Sequence, residues 1–292
     1  MGPFKNITAA SLLAAYTLAF TAAANAVDPF DNWPNPKGWY AVDYPAYYTA
    51  NVFTDKNGHK SFNPEMRLAR NVFRALWYTK SPLLPNTLVF SAIMPYDKLE
   101  MRLGSRSTAS GLGDLTLLSG YFFSESPTAA FGLGVFVDIP TGAYDKTKTV
   151  NVGSDVWNFR PMLGYFRLIG QLDIETTLKY NIPSENSGSA AAGGAKVREG
   201  NKILFSSFTG CFINKKTLLG ANFNYHTADA SRIAGEISPG TGARVFQLGG
   251  SLNYMPSPVF NAMLQVMSDF NTRNAAEGTL YMGRLVWHFK GS

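Results

Sequence analysis

A hydrolytic site needs a nucleophile and a base within hydrogen-bond reach, and this sequence offers one arrangement of that kind. His226 is followed by Ser231-Arg232, which places a histidine, a hydroxyl and a cation within a short stretch. The spacing matches no hydrolase motif, and a lone histidine at such a position is more often a polar lining residue. His59 and His288 lie far from it in the chain. No group of His, Cys or acidic residues has metal-ligand spacing, so neither a metal nor a cofactor is expected. Gly111-Leu112-Gly113-Asp114 has the outline of a glycine-rich nucleotide loop, but it lacks the following helix and the phosphate-binding lysine. Cys211 is the single cysteine. It can form no intramolecular disulfide, and its apolar surroundings mark it as a small buried or lipid-facing residue rather than a nucleophile. The chain is therefore not expected to be an enzyme.

Most of the other polar side chains alternate with apolar ones. Between residues 171 and 182, Leu172, Ile174, Thr176, Leu178, Tyr180 and Ile182 share one strand face, while Asp173, Glu175, Thr177, Lys179 and Asn181 share the other. The same period of two places Phe246, Leu248 and Leu252 opposite Gln247 and Asn253, and Phe260, Leu264, Val266 and Phe270 opposite Asn261, Gln265 and Asp269. Twelve such segments are read, over residues 39–53, 65–79, 83–94, 112–123, 129–139, 156–168, 171–182, 201–213, 217–227, 243–255, 258–270 and 279–289. The connections alternate between long polar loops (54–64, 95–111, 140–155, 183–200, 228–242, 271–278) and tight turns (80–82, 124–128, 169–170, 214–216, 256–257).

Long segments with one apolar face, an even count and alternating turn lengths predict an all-β fold. The expected form is an antiparallel transmembrane barrel of about twelve strands, with short periplasmic turns and longer extracellular loops. A soluble sandwich would have shorter strands. Trp157, Tyr180, Tyr225, Tyr254, Tyr281, Trp287 and Phe289 suit the aromatic girdles of a membrane barrel. The polar faces should then line the lumen. They supply Arg70, Arg74, Asp114 and Asp138 from the first half, and Asn158, Arg160, Asp173, Glu175 and Lys179 from the middle. Asn222, Asn224, His226, Gln247, Gln265, Asp269 and Arg284 follow towards the C-terminus. Such groups either pair into a packing network or form a constriction that selects solutes.

The first 26 residues have the layout of a secretory signal peptide: a cation at Lys5, an apolar stretch and Ala24-Asn25-Ala26. Cleavage is expected after Ala26. Residues 27–38, rich in proline and aromatics, are expected to stay in the periplasm or to enter the lumen as a short plug. Residues 39–289 form the barrel and 290–292 a tail. After the signal no run of about 18 apolar residues occurs, so no transmembrane helix is expected. A net charge of +6 is compatible with anionic lipid headgroups, and without basic clusters among aromatics nucleic acid is not an expected partner.

Several segments look familiar. WYAVDYPAYYTANVFT (residues 39–54), GLGDLTLLSGYFF (111–123), VDIPTGAYD (137–145), NVGSDVWNFRPMLGYF (151–166) and KYNIPSENS (179–187) together resemble the outer-membrane barrel family named for the meta-pathway of phenol degradation. The resemblance rests on Gly111, Gly113 and Asp114, on Pro140, Thr141 and Gly142, and on Gly153 with Trp157 four residues on. It implies a transporter of the bacterial outer membrane linked to the breakdown of aromatic or other hydrophobic compounds. The implied partners are outer-membrane lipid, a small hydrophobic or aromatic solute, and the barrel assembly machinery. The glycines would let the chain turn from a long loop into a strand beside Asp114, Pro140 would stop a strand at the outer rim, and Trp157 would anchor the next one. Where such barrels usually end on an aromatic, Phe289 is followed here by Lys290-Gly291-Ser292. The reading on sequence is a channel for small hydrophobic or aromatic compounds. Its alternatives are a non-conducting barrel with a structural or surface-binding role and, behind that, an outer-membrane hydrolase using His226.

Overall fold

A computed structural model describes residue 30 and residues 33–80, 83–103 and 105–290. The expected signal peptide and the last two residues of the tail lie outside the described residues. Twelve long strands follow one another: β1 (Gly38–Thr54), β2 (Glu65–Lys80), β3 (Thr87–Leu103), β4 (Leu115–Ser126), β5 (Ala129–Ile139), β6 (Asn158–Ile169), β7 (Leu172–Pro183), β8 (Lys202–Asn214), β9 (Thr217–Ala228), β10 (Ala243–Ser257), β11 (Phe260–Arg273) and β12 (Ala276–Lys290). Each pairs antiparallel with its sequence neighbours, and β12 closes on β1 from Gly38↔Lys290 to Phe53↔Ala276. Closure pairs the last edge, so no row of backbone donors and acceptors is left open to hydrocarbon.

The side chains show which solvent the barrel is built for. In β7, Asp173 and Glu175 are fully buried while Leu178 and Tyr180 stand about 40% exposed. Along the strands, buried residues face the lumen and the exposed ones, among them Trp39, Phe73, Leu133, Leu248, Leu264 and Phe289, face out. A soluble protein rarely seals aspartate and glutamate inside while leaving so many large apolar side chains outside; a wall standing in lipid does so. Trp157, Tyr180, Tyr254, Tyr281, Trp287 and Phe289 belong to that exposed surface, and so does Cys211. Trp39 and Trp77 stack at 5.6 Å on neighbouring strands, with Phe90 against Trp77 at 5.7 Å. They form part of an aromatic band at the end that carries the short turns.

Three boundaries differ from the expectation. The segment expected to end at Met94 runs on through Pro95 to Leu103 and returns as a strand over Ser105–Leu112, so the expected loop at 95–111 is a hairpin. Pro95 is tolerated because it lies where the partner of β3 changes, from β4 to the returning arm. Its carbonyl accepts the Gly113 amide at 2.9 Å, and its absent N–H would point to that same gap. The expected turn at 80–82 is longer, since β3 starts only at Thr87. The expected loop at 271–278 is almost absent: β11 runs to Arg273 and β12 starts at Ala276. Asn271 and Asn274 take positive φ values of 48° and 46° there, a backbone conformation that asparagine tolerates better than most residues. The polar, small composition that reads as a loop is thus a bulge and a tight turn.

Candidate functional site

Inside the ring, two walls of opposite character face each other. One is carried by β12, β1, β2 and β3. Towards the loop end it packs Tyr48, Phe53, Met66, Leu68, Leu99, Met101, Leu280 and Met282 into one cluster, with Met263 and Met267 of β11 and Val150 from the loop after β5. Towards the short-turn end the apolar surface continues through Tyr40, Val42, Leu76, Tyr78, Val89, Phe122 and Phe166. Five of the cluster's residues are methionines. Their flexible thioethers suit a surface that must fit irregular apolar shapes.

The opposite wall, on β7 to β10 with part of β11, is mainly polar, with Leu204, Phe208 and Leu218 set among its polar groups. Asn222, Asn224, His226, Gln247, Asn253 and Gln265 are all buried on its inner face, with Asp173, Glu175 and Lys179. Many are linked. The Tyr48 hydroxyl donates to Asp269 Oδ2 at 2.6 Å, Gln247 Nε2 to Asp269 Oδ1 at 2.6 Å, and Asn224 Nδ2 to Gln247 Oε1 at 3.1 Å. Ser251 donates to Asn222 at 2.8 Å. Asp269 thereby ties the polar wall to Tyr48 of the apolar one.

The N-terminal segment crosses between the walls. The Phe30 amide donates to Glu175 on β7, and the Phe30 ring packs against Phe208 and Leu218. Trp33 lies against Phe166 with ring centroids 4.4 Å apart. Asn35 donates to the Tyr78 hydroxyl on β2 at 3.2 Å, and the Tyr40 hydroxyl donates to the Pro36 carbonyl at 2.8 Å. Pro36 limits the segment's backbone freedom, which lowers the entropy lost in holding it there.

The lining expected from the sequence divides as follows. Asp173, Glu175, Lys179, Asn222, Asn224, His226, Gln247, Gln265, Asp269 and Arg284 are buried on inner faces. Arg74 is half-buried on the inner face of β2, with Nε 3.0 Å from Ser91 Oγ. Asp138 and Arg160 meet each other on β5 and β6, and Thr116 donates to the same carboxylate at 2.5 Å; Asn158 pairs with Asp138 at the start of β6. Both Arg160 and Lys179 sit over the Phe136 ring, at 5.2 and 5.3 Å from its centroid. Arg70 makes a two-pronged ion pair with Asp97, at 2.6 and 2.8 Å. Sequence reading missed Asp97 because it took residues 95–111 as a loop; the alternation of Asp97, Leu99 and Met101 was the signal available.

Asp114 is the correction. It lines no strand. It precedes β4 at the outer rim, where its carboxylate accepts the Gly142 amide at 2.9 Å, the Ser154 amide at 2.8 Å and the Ser154 hydroxyl at 2.6 Å. Thr141 accepts the Leu115 amide at 2.9 Å. Gly142 and Gly153 touch backbone to backbone: a Cβ on Gly153 would lie 2.5 Å from the Gly142 carbonyl. The motif residues Gly113, Asp114, Thr141, Gly142 and Gly153 therefore assemble into one clasp, which folds the loop between β5 and β6 back over the rim and delivers Val150 to the apolar wall. Pro140 follows the end of β5, and Trp157 stands exposed just before β6. Next to the clasp, Tyr144 donates to the Gly188 carbonyl at 2.6 Å, and burial, followed by the nearby Asp155, raises its pKa.

The pair that a hydrolase would need is not formed at His226. Neither ring nitrogen has a hydrogen-bond partner, so no hydroxyl reaches it. Among the described residues no group of three or more His, Cys, Asp or Glu could hold a metal ion.

Comparison with known proteins fits this architecture. The COG4313 outer membrane channel from Pseudomonas putida F1 superposes with a TM-score of 0.83 at 20% identity, covering 90% of this chain and all of that one. The translocator domain of the autotransporter NalP from Neisseria meningitidis gives 0.60 at 12% identity, over 98% of this chain and all of that one. The transport unit of AIDA-I from Escherichia coli gives 0.55 at 8% identity over the same shares. At these identities the likeness is one of fold. No curated protein sequence matches the chain. A family model does, over residues 50–285, and by that match the protein belongs to the family described as "Putative MetA-pathway of phenol degradation".

Proposed function

We propose that the protein is an outer-membrane channel that passes small hydrophobic or aromatic molecules, with its N-terminal segment acting as a short plug. The observation that carries this is the apolar wall, which runs along the lumen from the loop end to the short-turn end. Barrels that pass hydrophilic solutes have a polar, water-filled interior. Here one wall offers thioethers and aromatic rings, and the other holds the segment through Glu175, Phe208 and Leu218. The fold and the family both support a channel role.

The test is uptake of a radiolabelled aromatic hydrocarbon by vesicles whose outer leaflet is lipopolysaccharide, which slows apolar solutes. Protein-containing vesicles should take up the label severalfold faster than empty ones and should admit a sugar of similar size no faster. Equal acceleration of both solutes would refute selectivity for apolar molecules.

The packing of the segment favours one second reading, a non-conducting barrel whose outer loops do the work. Those loops carry a small antiparallel sheet of their own, made of Val197–Arg198, Arg232–Ile233 and Glu236–Ile237. Vesicles that take up neither solute would favour it.

A further inference from the structure

We infer that the outer rim of the barrel docks a phosphorylated glycolipid of the outer leaflet, held at its phosphate by Arg244 and Arg273 and along its chains by the aromatic rings below them. The inference goes beyond the passage of solutes: it uses the barrel's orientation in the outer membrane, with the long loops outside, and nothing in the lumen.

Arg244 on β10 and Arg273 on β11 are register partners, and both stand on the outer face. Ala243 and Val245, on either side of Arg244, pack into an inner apolar cluster with Ala275. Thr272, next to Arg273, is buried against Thr54. A bulge makes this possible. The register shifts between Phe246 and Arg244, with Asn271 at a positive φ of 48°. Without that extra residue Thr272, two beyond the exposed Phe270, would face out and Arg273 would face in. The strand irregularity thus places two like charges opposite each other, an arrangement that repels unless an anion joins it.

Among the described residues neither arginine is within ion-pair distance of a carboxylate. The rim of β2 and β3 differs: Arg102 lies 3.8 Å from Glu65, and Arg106 lies 2.9 Å from Glu100. Arg244 is held by neutral groups instead. Its Nη2 donates to Asn271 Oδ1 at 2.9 Å, and its guanidinium lies over the Phe246 ring, 5.4 Å from the centroid. One bond to an amide leaves further N–H groups of the planar fork for phosphate oxygens.

The height of the pair fits a lipid headgroup. Directly below it Tyr225, Phe246 and Phe270 are in contact, with centroids 4.7 and 5.7 Å apart, an aromatic band of the kind that marks a membrane interface. Tyr254, exposed near the short turn, lies ten residues from Arg244 on the same strand. At about 3.3 Å per residue and a tilt of about 40°, that is about 25 Å of height, the thickness of a barrel's apolar band. The arginines therefore stand just beyond the hydrocarbon on the loop side. The outer leaflet there presents phosphates on an acylated sugar, the lipid A part of lipopolysaccharide. The phosphates complement the cations, and the rings below offer apolar surface to the acyl chains.

The test places the full chain in phosphatidylcholine nanodiscs containing a minor fraction of bisphosphorylated lipid A, or of its phosphate-free counterpart with the same chains. The protein is released into detergent, and native mass spectrometry counts the retained lipid. The phosphorylated lipid should be retained at least about tenfold more, the scale of one charge-assisted hydrogen bond. Arg244→Gln and Arg273→Gln should each cut that preference severalfold, and together they should abolish it while the folded barrel keeps its heat-dependent gel mobility. Lys215→Gln with Lys216→Gln, which removes two exposed cations from a short turn at the other end, should leave it unchanged. Equal retention of the two lipids would overturn the inference, and so would a preference that survives the double arginine substitution. A loss of preference as large in the lysine variant would reduce the effect to net charge and overturn the site. Release of the lipid by millimolar inorganic phosphate would show that a free anion satisfies the pair and would overturn lipid docking.

Discussion

The two walls of the lumen are built from the same strand geometry and answer different needs. On the polar wall, hydrogen bonds fix side chains in place: Asp269 alone accepts from Tyr48, Gln247 and the Gly278 amide. On the apolar wall, Met66, Met101, Met263 and Met282 pack among apolar neighbours, and only at the seam does Met267 Sδ accept Asn224 Nδ2, at 3.5 Å. A fixed wall can hold a plug through defined partners such as Glu175. A soft wall can accommodate a passing molecule by changing rotamers. The contrast teaches that a membrane barrel's interior need not be uniform, and that its function is read from how character varies around the ring.

One charged pair interrupts the soft wall, and breaking it should have the largest effect. Asp97→Ala leaves Arg70 buried without its carboxylate, which should cost about 3–5 kcal/mol; urea unfolding of the protein in vesicles measures it. Loss below about 1 kcal/mol would mean the pair is open to water in solution. On the same wall, Met66→Ala should cost about 2–5 kcal/mol through lost burial and a residual cavity. If the wall is as adaptable as its methionines imply, Met66→Leu should cost under about 1.5 kcal/mol. On the polar wall, Gln247→Ala removes the bonds to Asp269 and Asn224 and should cost about 1–3 kcal/mol by leaving those groups unsatisfied. A cost equal to that of Met66→Ala under both truncation and conservative replacement would erase the distinction between the walls.

The smallest effect lies outside both walls, in the rim loop. Asp145 has its pKa lowered by the Thr147 hydroxyl first and the Thr147 amide next. A depressed folded-state pKa means that the carboxylate favours the folded loop above its unfolded pKa and that this contribution disappears as pH falls through the folded value. The Thr147 amide resonance should therefore titrate with a midpoint below the ordinary aspartate range, and a midpoint at or above that range would contradict the contact.

The barrel was legible because period-two alternation persists over whole strands and because turn lengths alternate. Nine or more residues each from β7, β8 and β9 fall within the expected limits. Legibility failed where one rule was given too much weight. Pro95 reads as the end of a strand, which hides Asp97, Leu99 and Met101, although a proline at a change of partner costs no ladder bond. Asn271 to Gly278 read as a loop from composition, although asparagine at positive φ makes a tight turn possible. The polar wall was visible because polar residues on an inner face stand out against apolar neighbours. The apolar wall was not: Met66 and Leu68 alternate with Arg67 and Ala69, and sequence alone does not say that in this part of the ring the apolar face is the inner one. The clasp at Asp114 depends on contacts across 28 and 40 residues, so local spacing carried no sign of it.

The most direct test of the central claim is the single-channel conductance of the full chain in a planar bilayer beside a variant lacking residues 27–37. With the N-terminal segment bridging both walls, the full chain should show small or no ionic steps, and the deletion should raise conductance severalfold while the barrel stays folded. Equal conductance in the two proteins would contradict the claim that this segment closes the lumen.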